Sequence, residues 1–126
     1  MARAAPRVLV VDDDRVVRRN LCAFLEDEGL VVLSAESGEA ALRLLEREAV
    51  DIGVIDIRLP GLDGEAVILQ AHARAPAMRF LIHTGSRNYQ PSPEILAAGV
   101  GPRDVFLKPL LDMSDIARAI RRKAGG

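Results

Sequence analysis

Short runs rich in Val, Ile and Leu alternate with helical stripes along this chain, and few architectures can bury both. A run that is apolar at successive positions has no face to give to water, so its strand must be covered on both sides. The strands expected on this basis are Val8 to Val11, Leu30 to Ala35, Ile52 to Ile57, Phe80 to Ile82 and Val105 to Leu107. Between the first two, Val17, Leu21, Phe24 and Leu25 repeat as i, i+4, i+7 and i+8, the stripe of a helix lying on a sheet, and Gly29 is placed to end it. Ser37 reads as the N-cap of a second helix burying Ala41, Leu44 and Leu45. Asp63 can cap a third helix through about Ala75, which Pro76 breaks. From Gly85 to Pro102 the pattern is irregular, and Pro91 and Pro93 leave room only for a short helix from Pro93 to Ala98. Ser114 or Asp115 is expected to cap a last helix carrying Ile116, Ala119 and Ile120. The pattern as a whole predicts an α/β fold, a parallel sheet with helices on both faces.

The chain has 126 residues, of which 49% are hydrophobic, enough to bury one core without disulfides or a structural metal. We expect a single domain over 1–126, with its core at about 7–123 and loose ends at Met1 to Ala5 and Ala124 to Gly126. A formal net charge of -1 gives no overall bias toward nucleic acid or an anionic membrane, so any strong electrostatics must be local. The single Cys22 has no internal disulfide partner and flanks the first helical stripe, where it packs. No run approaches the roughly 18 apolar residues of a membrane span, and MARAAPRVLVV runs into acids without the pattern of a signal peptide. The expectation is a protein of the cytoplasm.

The residues just after each strand carry the chemistry. In an open parallel sheet the binding crevice lies at the carboxyl ends of the strands. Here strand one ends in Asp12, Asp13 and Asp14, strand three in Asp56, strand four in Thr84 and Gly85, and strand five in Lys108 and Pro109. Each is ordinary alone: an Asp after a strand is most often a cap, the reading given to Asp14, and a Lys is most often solvated. Together they gather carboxylates whose close pairs repel by on the order of several kcal/mol at an effective dielectric near ~20. One lysine does not balance them. A hard divalent cation such as Mg²⁺, which takes carboxylate, water and phosphate oxygens, fits better. With it and Lys108, the crevice becomes a seat for a phosphoryl group, Thr84 a donor to it, and Asp56 a candidate nucleophile that would form an acyl phosphate.

From Val8 to about Lys123 the chain resembles the receiver domain of bacterial two-component response regulators, of the chemotaxis-receiver type. The likeness rests on VLVVDDD for the acidic pair Asp12 and Asp13, VIDIRLPGLDG for the phosphoacceptor Asp56, HTGS for the switch hydroxyl Thr84, and FLKPL for Lys108 and Pro109. The resemblance implies a flavodoxin-like doubly wound (βα)5 sandwich in strand order 2-1-3-4-5, here with an irregular or shortened fourth helix. It implies Mg²⁺ held by Asp13 and Asp56, by the backbone carbonyl of Arg58, and by Asp12 through water. It further implies Lys108 paired with the phosphoryl group, a Lys108–Pro109 bond that is cis in many relatives, and Arg58 and Ser86 flanking the path of hydrolytic water. A sensor histidine kinase or phosphotransfer protein would be the phosphodonor. The domain would then change its interactions with a downstream protein; it is not an enzyme with a separate substrate, and a homodimer is left open.

Two departures fall on the face that commonly passes the signal on. Where such receivers usually place Tyr or Phe three residues before the Lys, this chain has Val105, with Phe106 on the opposite face, and the segment after Thr84 is long and proline-rich. Retained chemistry with an unusual output surface is therefore expected. A haloacid-dehalogenase-type phosphatase needs a second Asp where Arg58 stands, and a flavin phosphate would be repelled by DDD. A receiver-like interaction domain not switched by phosphorylation stays open as the alternative. Arg118, Arg121, Arg122 and Lys123 lie off the Ile116 and Ile120 stripe and are expected to form a solvated face, not a nucleic-acid surface. His72 and His83 lack metal-ligand company and receive no role.

Overall fold

The computed structural model describes residues 5–125. Five parallel strands form one sheet in the order β2-β1-β3-β4-β5. They are β1 (Arg7–Val11), β2 (Val31–Ala35), β3 (Ile52–Ile55), β4 (Arg79–Thr84) and β5 (Val105–Leu107). The helices are α1 (Arg15–Asp27), α2 (Gly38–Leu45), α3 (Gly64–Arg74), α4 (Pro93–Ala97) and α5 (Ser114–Gly125), with a short 3₁₀ turn at Pro102–Asp104. Among the described residues no helix is long and apolar enough to cross a membrane.

Alternation along the strands divides the core in two. Leu9, Val11, Ile55, Phe80 and Ile82 face α2, α3 and α4, while Val8, Val10, Ile52, Val54 and Leu81 face α1 and α5. Both faces of the central strands are thus dry, as their unbroken apolar runs require. Val105 packs on the first side and Phe106 on the second, the opposition expected from their adjacency.

Several boundaries differ from expectation for local reasons. β3 stops at Ile55 and not Ile57, because the Ile57 carbonyl turns away to accept the amides of Leu59 and Gly64. β2 begins at Val31, since the Leu30 amide closes the end of α1 on the Leu25 carbonyl while Gly29 takes φ +87. In α2 the buried residues are Gly38, Ala41 and Leu42, with Leu44 and Leu45 only partly covered; Gly38, Ala41, Leu42 and Leu45 form the true i, i+3, i+4, i+7 stripe. Asp14, Ser37 and Asp63 cap α1, α2 and α3 as read from the sequence. At α5 the Ser114 amide and hydroxyl both donate to Asp112, so the capping carboxylate is Asp112 and neither expected residue. Ala124 is helical, not loose; the expected looseness of residues 1–4 and 126 lies outside the described residues.

Candidate functional site

Strand order decides where the site lies. The chain leaves β1 toward β2 on one side and takes up β3 on the other, so the carboxyl ends of β1 and β3 flank the point where the winding reverses. Asp12 follows β1 and Asp56 follows β3, and the Asp56 amide continues the ladder by donating to the Val11 carbonyl at 2.9 Å.

Asp12 and Asp56 are buried, whereas Asp13 is exposed at the rim. Ligand atoms of all three lie within 4.8 Å of one another. Lys108, reaching over from the end of β5, places its Nζ 2.7 Å from Asp12 and 3.1 Å from Asp56. Asp12 also accepts the Asp14 amide, and Asp56 accepts the Arg58 amide at 3.3 Å. Arg58 itself is exposed. Asp14 is spent on the amides of Val16 and Val17, the capping role expected of it.

The turn after Asp56 demands glycine. At Gly64 a Cβ would stand 2.1 Å from the Asp56 carbonyl oxygen, and Gly61 takes φ +73. α3 therefore starts close against the acidic site.

Thr84 is fully buried at the end of β4, and its hydroxyl oxygen accepts the Ser86 amide at 3.1 Å, leaving its hydrogen to be given elsewhere. Its carbonyl accepts the Lys108 amide at 2.8 Å, which ties the ends of β4 and β5 together. The Lys108–Pro109 peptide is cis.

Electrostatics follow from this crowding. Burial pushes the Asp56 carboxyl above the usual range; the hydrogen bond and charge of Lys108 oppose this, and the Asp12 charge adds to it. For Lys108, burial acts downward but is outweighed by hydrogen bonds and charge from Asp12 and Asp56, so its pKa is raised. Three carboxylates thus face one ammonium. An all-oxygen donor set with net negative charge fits a hard divalent cation.

Of the residues singled out in the sequence, the fold brings Asp12, Asp13, Asp56 and Lys108 together, and it places Thr84 at the end of β4, joined to Lys108 through the main chain. Sequence reasoning assigned nothing to His83, which is buried and lines a hollow of about 360 Å³ beside Lys108 with Leu21 and Met113. It also missed Tyr89, whose hydroxyl donates to Glu65 of α3 at 2.6 Å, with the Ser92 amide donating to the same oxygen. This bond pins the segment after Thr84 onto α3, and burial with the Glu65 contact raises the Tyr89 pKa. Nothing in the sequence pairs residues so far apart.

A sequence model of the response regulator receiver domain family matches residues 8–121. The chain belongs to this family. The receiver is 39% identical over 119 residues to the transcriptional regulatory protein AruR of Pseudomonas aeruginosa, which covers 90% of this chain and 48% of that protein. It is 32% identical over 112 residues to the sensor protein GacS of Pseudomonas syringae pv. syringae, covering 74% of this chain and 12% of that protein. The chain therefore spans about half or less of the length of these curated relatives. Among solved structures, a CheY-like receiver domain protein from Methanospirillum hungatei superposes with a TM-score of 0.85 at 29% identity, covering 97% of this chain and 95% of that one.

Proposed function

We propose that this receiver accepts a phosphoryl group on Asp56 from the phosphohistidine of a sensor histidine kinase or phosphotransfer protein, in a Mg²⁺-dependent reaction. The observation that carries the reading is Lys108 held 3.1 Å from Asp56 within an acidic, all-oxygen cluster at the reversal point of the sheet. In the transfer an Asp56 carboxylate oxygen forms the new O–P bond as the N–P bond of the donor breaks, and the electron pair leaves with the imidazole. Asp13, Asp56 and the Arg58 carbonyl would hold Mg²⁺, with Asp12 acting through water; the bound ion supplies charge neutralisation for the phosphoryl oxygens. Lys108 pairs with one of those oxygens and the Thr84 hydroxyl donates to another. Arg58 and Ser86 flank the approach of hydrolytic water.

The domain unit we propose is 1–126, with a core at about 7–123, working in the cytoplasm as a phosphoacceptor and not as an enzyme with its own substrate. Its output would be a changed interaction with a downstream protein. The alternative, an interaction domain not switched by phosphorylation, is favoured by Val105 on β5 and by the five residues of α4.

Incubation with acetyl phosphate, with and without Mg²⁺, followed by intact mass, separates the two. A Mg²⁺-dependent gain of one phosphoryl group that Asp56→Asn abolishes is the expected result. No gain in the folded wild type at any Mg²⁺ concentration would leave the interaction domain standing.

A further inference from the structure

The β2 side of the sheet carries a feature that phosphotransfer does not use. β2 is an edge strand, and two adjoining hollows of about 550 and 420 Å³ lie along it, sharing Arg18 and Ser34. Arg19 lines the first, Arg43 and Arg47 the second. With Glu26 and Glu36 as the acids in these linings, the groove is net positive on a chain whose formal net charge is -1.

Two arginines stand at the C-terminal end of α2, Arg43 in its last turn and Arg47 just beyond it. Arg43 and Arg47 are exposed one turn apart, and neither makes an ion pair among the described residues. Two acids near them are committed elsewhere: Glu39 accepts the Leu62 amide at 3.1 Å, and Glu48 takes Arg7 at 2.8 Å, while Glu36 shares the hollow. Arg18 is fastened differently, its Nη1 donating to the Asp12 carbonyl at 2.7 Å. One wall of the groove is thereby tied to the backbone of the acidic site.

The floor offers main-chain groups as well as charge. Val31 donates to Pro6 and Ala35 accepts from Asp12, so alternate residues of β2 face inward. By that alternation the backbone groups of Val32 and Ser34 point to the open edge. An extended peptide can use such an edge, with side chains at every second position meeting the helices beside it. Nucleic acid has no main-chain pattern to match this edge.

We propose that the groove between α1 and α2 along β2 docks an extended, acidic segment of a protein partner, whose carboxylates meet Arg43, Arg47 and Arg18 while its backbone pairs with the β2 edge. This surface lies at the opposite sheet edge from β5, so it serves a different contact from the α4, β5 and α5 face.

The test uses the full chain, ¹⁵N-labelled, and a short peptide alternating Glu and Val. Amide shifts at Val32 and Ser34 are expected on titration, and Arg43→Gln/Arg47→Gln, checked for fold by circular dichroism, should weaken binding by about tenfold or more. The same peptide with Lys for Glu should not bind. Unchanged affinity in the double variant, shifts confined to another face, or no shifts at all would overturn the proposal. Inorganic phosphate reproducing the same shifts would reduce the groove to an anion site, and an oligonucleotide binding there more tightly than the peptide would make it a nucleic-acid surface; either result also overturns it.

Discussion

His83 owes its charge state to burial. It is 6% exposed and, among the described residues, its Nε2 has no hydrogen-bond partner; burial together with the Lys108 charge lowers its pKa from 6.5 to about 4. The unfolded chain therefore binds more protons between those values, so the stability that neutral His83 contributes above pH 6.5 is lost as pH falls through about 4. The shift corresponds to on the order of 3 kcal/mol. Urea midpoints followed from neutral pH down to pH 4 should fall less steeply for His83→Leu than for the wild type, and equal slopes would contradict this account. Such a residue looks mute in sequence, because HTGS carries its signal in Thr84. Asp12, Asp13, Asp56, Thr84 and Lys108 were legible for the opposite reason: polar groups that end apolar strands stand out from their surroundings.

Among the elements, α5 departs furthest from its sequence pattern. Lys123, expected on a solvated face with Arg118, Arg121 and Arg122, instead turns inward to Asp104 at 3.0 Å and to the carbonyls of Phe80 and Gly99. Asp104 is buried and also accepts the Gly101 amide at 2.9 Å. One charge pair thus clamps the end of α5 onto the turn that leads into β5. Replacing Asp104 by Ala leaves an ammonium buried against carbonyls and an amide without its acceptor, a loss of about 3 kcal/mol in urea unfolding. A change below measurement error would show the clamp to be idle. A long lysine can reach back under its own helix, and periodicity follows the Cα positions, so the residue that snorkels inward is invisible to it. The short α4, in contrast, was readable from Pro91 and Pro93, which leave no room for more.

Both helical layers rest on one sheet, so the molecule is expected to unfold as a unit. Leu81 belongs to the α1 and α5 side, while Tyr89, the single tyrosine of a chain without Trp, belongs to the α2, α3 and α4 side. Leu81→Ala should cost about 2–5 kcal/mol. Its midpoint shift should be the same by Tyr89 fluorescence as by far-ultraviolet circular dichroism; separate transitions would mean that the two layers melt independently. By itself the sequence determined the element order, the burial of both sheet faces, the caps of the first three helices and the roll of polar residues at the strand ends. These follow from local spacing and from the rule that apolar runs must be covered. Only the tertiary structure decided which loops would be latched, where Lys123 would go, and that Arg43 and Arg47 would face a groove without an ion-pair partner among the described residues. Such pairings join residues tens of positions apart, and their partners are chosen by packing, which periodicity along the chain does not encode.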